Sequence, residues 1–313
     1  MTFSQSVKNE ILKSLRGVKT CCASAFLNAA LKAIGFLSIE RKKYYFSLES
    51  DNHEFLSLCC NMASNAFSVD GKIQSYNVNA KGAAVYSCSF DGNLGEKLGL
   101  TLRGDGGSLE LARNTQYIIP QNECCKRVFM QSLFVSCGSV VIPVADTDVG
   151  ENTLRAKYHL ELRFTDEDFA KAVLDGYSQF QFKITSRKNY FVLYLKHSER
   201  IADFLVYLNA MSAKLKLENV IIGRSMRNDA NRQSNCISAN IEKSVVAAEK
   251  QLNAITELKR NGVYNNLSLP LKQIAEIREN NPEASLDEIA AILNISKSGA
   301  NHRFAKLIEL AFK

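Results

Sequence analysis

The spacing of apolar positions divides this chain into two similar halves and a helical end. Residues 20–34 repeat small and apolar positions at helical spacing, and 35–39 then read as a strand. RKKYYFSLE (41–49) alternates, with Tyr44, Phe46 and Leu48 on one face, which predicts a second strand. Asp51 or Asn52 opens a helix over HEFLSLCCNMASNAF. Two strands follow near 72–79 and 83–90, and the short helix NLGEKLGL closes the unit. The order then repeats. A helix over about 122–136 leads into a strand near 138–143, the polar loop ADTDVGENTLRA, and the alternating strand KYHLELRF (157–164). Thr165 is placed to cap DEDFAKAVLDGY, whose acids fall in the first turn, where the helix dipole favours them. QFQFKITS and NYFVLYLK read as strands around a turn at 187–189, and SERIADFLVYLNAMSAKL (198–215) as one amphipathic helix. Both halves read α-β-β-α-β-β-α.

The two helices that open the halves also match residue by residue. CCASAFLNAALKAIGFLSI (21–39) lies on CCKRVFMQSLFVSCGSVVI (124–142) at an offset of 103, with Cys21/Cys124, Cys22/Cys125, Phe26/Phe129, Gly35/Gly138 and Ile39/Ile142 identical. Shared residues and shared element order predict a duplicated α+β body over 1–217, with repeats at about 20–103 and 122–217. Small residues recur along both helices (Ala29, Ala33 and Gly35; Ser132, Ser136 and Gly138). They would let the two backbones approach at a pseudo-twofold axis.

After Leu217 the texture changes. GRSMRNDANRQSNCISAN (223–240) holds four Asn and three Arg. If helical, it puts Arg224, Asn228, Asn231 and Asn235 on one face; Asn also favours loops, so a polar linker is the competing reading. A long helix follows, with Ile237, Ile241, Val245, Ala248, Leu252 and Ile255 at 3–4 spacing, ending near 261–262 where Gly262 can stop it. This connecting segment covers 218–265.

Residues 266–313 read as an all-α helix-turn-helix domain. Pro270 suits the first turn of a helix running to about Asn280. Ser285 and Glu288 form a capping box before DEIAAIL. Asn294 tolerates the left-handed backbone of a tight turn, and Ser296 caps KSGANHRFAKLIELA. Two packed helices alone would need no special surface at the front of the second one. Here Lys297, Ser298, Asn301, His302 and Arg303 supply polar groups, while Ala300, Phe304, Leu307 and Ile308 face the core. Asn can pair bidentately with adenine, and Arg with guanine or phosphate.

Charge tempers this picture. The net charge of +7 is a mild lean toward polyanions, but residues 268–313 hold six Lys/Arg and six Asp/Glu. Phosphate contacts dominate affinity for DNA, so further positive charge must come from elsewhere. The Arg/Asn-rich stretch is the candidate source, with Arg227 and Arg232 as cations and Asn228 and Asn231 as neutral DNA-binding partners beside them. Lys43, Tyr45, Lys157, His159, Arg163, Gln181 and Lys183, alternating away from the core, offer either a second DNA-facing surface or an ordinary solvated sheet; Glu49 and Glu161 share that face. Apolar runs are too short to span a bilayer, and the charged first 17 residues do not resemble a signal peptide, so a cytoplasmic, nucleoid-associated protein without a membrane partner is expected. The nine cysteines form no C-x-x-C pair, and vicinal CC is poor spacing for zinc. They are expected to be reduced and buried, with no metal and no cofactor.

LNAALKAIG (27–35) and MQSLFVSCG (130–138) resemble degenerate LAGLIDADG segments, the paired central helices of homing endonucleases. That resemblance implies an acid just before the terminal Gly, holding divalent metal for phosphodiester attack. Ile34 and Cys137 stand there, and Lys32 and Val135 at the motif's earlier acid, so no catalytic residue is assigned. With MRN-x-x-NR-x-x-NC-x-x-AN (226–240) and ISKSG-x-NHR (295–303), nearly the whole chain is similar to the WhiA family. Ser132 departs from the Gly expected in the second helix. Membership implies sequence-specific binding of double-stranded DNA and transcription regulation, linked to sporulation or to cell division and chromosome segregation. Other transcription regulators or RNA polymerase are further expected partners. The competing readings are a protein-binding or nucleoid scaffold with weak sequence preference and, last, a surviving endonuclease.

Overall fold

The computed structural model describes residues 2–40, 43–78, 84–105, 108–112, 119–143 and 157–313. The polar loop expected between the second half's first two strands lies outside the described residues. Two compact units divide at Gly223 and Arg224.

In the first unit, helix α1 (Phe3–Ser14) precedes the duplicated pattern. The first half follows as α2 (Thr20–Ile34), β1 (Gly35–Glu40), β2 (Lys43–Ser50), α3 (His53–Phe67), β3 (Gly71–Val78), β4 (Ala84–Asp91) and α4 (Asn93–Lys97). A hairpin of β5 (Thr101–Asp105) and β6 (Ser108–Ala112) separates the halves. The second half is α5 (Glu123–Cys137), β7 (Gly138–Val141), β8 (His159–Phe164), α6 (Glu167–Gly176), β9 (Lys183–Arg187), β10 (Tyr190–Leu195) and α7 (Ser198–Tyr207). The sheets have the same antiparallel order, β1-β2-β4-β3 and β7-β8-β10-β9. That correspondence is the duplication in three dimensions. In β8 Leu160, Leu162 and Phe164 are buried in the core as alternation predicts, but Glu161 between them is buried as well.

Helices α2 and α5 pack on each other through small residues: Ala29, Ala33 and Ser132 are buried. Ser132 Oγ donates to the Phe26 carbonyl at 2.7 Å, tying one central helix to the other. The repeated glycines do something other than permit this approach. At Gly35 a Cβ would lie 2.3 Å from the Leu31 carbonyl oxygen, and at Gly138 2.6 Å from that of Phe134. In both copies the chain leaves its helix directly into an extended strand, and only Gly can turn that close to its own last turn.

Three local expectations differ. Asp166, not Thr165, caps α6, accepting from Phe169 N–H at 2.7 Å. Gln181 has φ 54° and ends a 3-10 turn, so β9 starts only at Lys183. The helix expected over 198–215 breaks after α7, where Asn209 takes φ 59°. A new helix, α8 (Met211–Arg260), begins beyond it. The Glu10 carboxylate supplies its start, accepting from Ser212 N–H at 2.7 Å and Ala213 N–H at 3.1 Å. A cap from 202 residues upstream is invisible to local pattern.

In the second unit α8 leads into α9 (Leu269–Asn280), α10 (Leu286–Ile292) and α11 (Lys297–Ala311). Gly262, at φ 74°, follows the end of α8 as expected. The Arg/Asn-rich segment is helix throughout, which resolves the linker alternative. Ile255, Leu258, Ile274, Ile289, Ala300, Phe304 and Leu307 form this unit's own core. Ile237, Ile241 and Val245, although in register with that core stripe, are more than half exposed.

Candidate nucleic-acid interface

The C-terminal motif assembles by local rules that the sequence states openly. Ser285 Oγ accepts from Glu288 N–H at 3.3 Å, and the Glu288 carboxylate accepts from Ser285 N–H at 2.6 Å. Asn294 takes φ 53° at the turn. Ile295 N–H donates to the Ala290 carbonyl at 2.9 Å, closing α10. Ser296 Oγ then accepts from Gly299 N–H at 3.1 Å and starts α11.

Along α11 the two faces separate as expected. Ala300, Phe304, Leu307 and Ala311 are buried, and Ile308 is half-buried against them. Lys297, Ser298, Asn301 and His302 are exposed, with Arg303 half-buried beside them. These five lie in the first two turns, so one surface presents amide, imidazole, hydroxyl and cationic groups together. Among the described residues, Arg303 is the α11 cation without a carboxylate partner: Lys297 Nζ lies 2.6 Å from Asp287, and Lys306 Nζ 2.9 Å from Glu309.

A residue the sequence reading missed holds this surface in place. Arg278 on α9 is only 2% exposed. Its Nε donates to Gln251 Oε1 at 2.9 Å and its Nη1 to the Ala284 carbonyl at 2.6 Å; the guanidinium also lies 5.4 Å from the Phe304 ring centroid. One side chain thereby links α8, the loop before α10, and α11. An Arg one turn before a Pro-containing loop carries no sequence signal of burial.

The second candidate stretch stands elsewhere. Asn228, Asn231 and Arg232 are exposed on α8 and Arg227 is half-buried. Arg232 is ion-paired with Asp229. Asn235 joins Asn228 and Asn231 on the exposed surface, and Arg224 is half-buried.

On the sheet face of the second half, one buried acid gathers three basic groups. Glu161 is 4% exposed. Its carboxylate lies 3.0 Å from His159 Nε2, accepts from Arg163 Nε at 2.8 Å, and sits 3.7 Å from Arg187. Burial pushes this carboxyl up, but the His159 and Arg163 hydrogen bonds and charges outweigh it and hold Glu161 below its usual range. A single acid therefore engages His159 and Arg163, two of the groups expected to face a polyanion, together with Arg187. Tyr194 stacks on His159, ring centroids 5.9 Å apart, and closes the cluster.

At the ends of the central helices, the residues do not fit a divalent metal. Ile34 is half-buried and packed against the core. Cys137 Sγ donates to the Leu133 carbonyl at 3.2 Å. Burial pushes its thiol up to about 11, with the Lys8 ammonium opposing, so at neutral pH it is a protonated thiol. Burial in turn lowers Lys8. Hard Mg²⁺ takes oxygen ligands, and neither position offers one.

Comparison with known proteins decides the family. The model described as the WhiA LAGLIDADG-like domain matches residues 23–85 and 126–227, and that described as the WhiA C-terminal HTH domain matches 230–311. The chain belongs to the WhiA family. Its WhiA relatives include the "Probable cell division protein WhiA" of Carboxydothermus hydrogenoformans, 35% identical over all of this chain and 98% of the relative. The protein of the same description from Lachnoclostridium phytofermentans is 33% identical over 99% of this chain and 98% of its own. Full-length DUF199/WhiA from Thermatoga maritima superposes with a TM-score of 0.56 at 22% identity, covering 99% of this chain and 98% of that one, which supports the WhiA fold.

The cysteine expectation needs correcting. Cys22, Cys59, Cys88 and Cys125 are buried, but Cys21, Cys124 and Cys236 are exposed. The pairs open α2 and α5 in their first turns, and a helix turn carries neighbouring residues to different sides. One thiol of each pair therefore packs inward while the other faces out.

Proposed function

We propose that this chain is a sequence-specific DNA-binding transcription regulator of the WhiA type. Its relatives' description as probable cell division proteins favours a link to cell division; chromosome segregation and, in organisms that form spores, sporulation are further roles in this reading. The observation that carries this reading is the segregation of α11. Its inward face completes a small core, while Lys297, Ser298, Asn301, His302 and Arg303 share the outward face at its N-terminal end. That is the end of a recognition helix that reaches base edges in the major groove. Asn301 and His302 are assigned to bases, and Lys297, Ser298 and Arg303 to bases or phosphates. Arg227, Asn228, Asn231 and Arg232 are assigned to the DNA backbone.

The test is affinity for promoter fragments recovered with the full-length protein by genome-wide immunoprecipitation. Replacing Asn301 and Arg303 together by Ala should weaken binding by roughly 1.5 to 4 orders of magnitude, since each base pairing contributes about 1–3 kcal/mol and about 1.4 kcal/mol is tenfold. Unchanged affinity overturns the assignment. A specific-to-random affinity ratio near one across a salt series would instead favour a nucleoid scaffold. Ile34 and the protonated Cys137 argue for a non-cutting body, so Mg²⁺ should yield no cleavage of plasmid carrying the bound sequence.

A further inference from the structure

The duplicated vicinal cysteines meet. Cys21, Cys22, Cys124 and Cys125 come from helices that start 103 residues apart, yet their four sulfurs lie within 4.8 Å of one another. Cys124 and Cys125 Sγ are 3.8 Å apart. A tetrahedral zinc ion with Zn–S bonds of about 2.3 Å holds its sulfurs about 3.8 Å apart. One edge of such a tetrahedron is already formed, and the remaining edges need to contract by an ångström or less.

We propose that these four thiols form a structural site for one Zn²⁺ ion, clamping the N-terminal ends of α2 and α5 together. Three features favour a metal over simple packing. The ligand set is all sulfur and four in number, the composition of a closed structural zinc site, with no position left for water or substrate. Each pair lies in the first turn of a helix that lacks a side-chain cap, where the positive end of the helix dipole favours thiolates. Each pair also leaves one cysteine exposed and the other buried, which opens a path for the ion while the inner sulfurs remain fixed. Binding releases the thiol protons to solvent and changes no oxidation state.

The site is unrelated to the endonuclease metal position. Ile34 and Cys137 end the same two helices whose starts carry the cysteines. Twelve residues of helix separate Cys22 from Ile34, a rise of about 18 Å. An ion at the cysteine end would stiffen the pseudo-twofold helix pair without touching phosphodiester chemistry. Vicinal spacing is poor for zinc within one segment; the duplication supplies the second pair of ligands that a single CC lacks.

The experiment uses the full-length protein, stripped with chelator under reducing conditions and titrated with Zn²⁺ or Co²⁺ alone. One ion per chain is expected, with sulfur-to-metal charge transfer and tetrahedral d–d bands in the Co²⁺ form, and a rise in Tm with Zn²⁺. Cys21→Ser with Cys124→Ser should abolish the charge-transfer signature and weaken binding by about a hundredfold or more. Cys236→Ser should leave both unchanged. Should the double variant not fold, Cys124→Ser alone serves, and must weaken binding at least about tenfold. Sub-stoichiometric uptake by the reduced protein overturns the site, as does equal affinity in the cysteine variants. Pairing of these thiols as disulfides, with no uptake after reduction, also overturns it.

Discussion

Asp287, near the start of α10, lies 2.6 Å from the Nζ of Lys297, the first residue of α11. The pair spans the turn between the two helices, and both side chains are more than 60% exposed. Its contribution to stability is small, about 0–1 kcal/mol. Its effect on DNA is larger, because it places a carboxylate beside the surface that should meet phosphate. Asp287→Asn should therefore raise affinity for random DNA several-fold and steepen the salt dependence by about one charge. The loss of an acid from the first turn of α10 should cost about 0.3–1 kcal/mol. Fluorescence anisotropy over a salt series reads the first effect and thermal unfolding the second.

Arg303→Ala should weaken binding to all sequences if the guanidinium serves a phosphate, lowering the salt slope by about one. If it serves a base, the loss should instead be confined to the cognate site. The same anisotropy series separates the two assignments.

Arg278 tests what holds the reading surface in shape. Truncation to Ala removes a buried cation that satisfies the Gln251 side chain and the Ala284 carbonyl, and leaves a cavity under Phe304. The expected cost is about 3 kcal/mol, seen as faster hydrogen exchange in α9 to α11. Arg278→Lys should not restore protection, since an ammonium cannot reach these acceptors in the plane of a guanidinium fork.

Gly35→Ala and Gly138→Ala should each destabilise the first unit by about 2 kcal/mol or more. A Cβ at Gly35 meets the Leu31 backbone, and at Gly138 both the backbone and the ring of Phe134, in each case within the residue's own helix. Denaturant unfolding followed in the first unit checks this. If small size at the helix crossing were the reason for these glycines, Ala would be tolerated.

Glu161 sets a pH dependence with a definite sign. Its folded pKa is held below the ordinary carboxylate value. The stability it contributes is therefore complete above about pH 4.3, the value for an unfolded chain, and is lost as pH falls through the lower folded value. Glu161→Gln should be less stable at neutral pH, by about 1–2 kcal/mol, and should show a shallower acid limb. Unfolding midpoints between pH 2 and 7 (an assay range on the scale of about those carboxylate values) would show it.

What the residues determined by themselves is mostly local. The duplication and the positions of α2 and α5 are written in the repeated residues, and the capping box at Ser285, turn at Asn294 and cap at Ser296 follow from short-range sterics and hydrogen bonds within a few residues. Where the reason was long-range, the tertiary structure decided. Glu10 starts α8 across 202 residues of chain, Arg278 is buried because three separate segments converge on it, and Glu161 engages His159 and Arg163, which alternation alone assigned to a binding face. The cysteine pairs show the division most clearly. Along the chain each CC is an unpromising neighbour pair, because chelation by four sulfurs requires two segments. Folding the two copies against each other brings all four within 4.8 Å, a proximity that no spacing within either copy encodes.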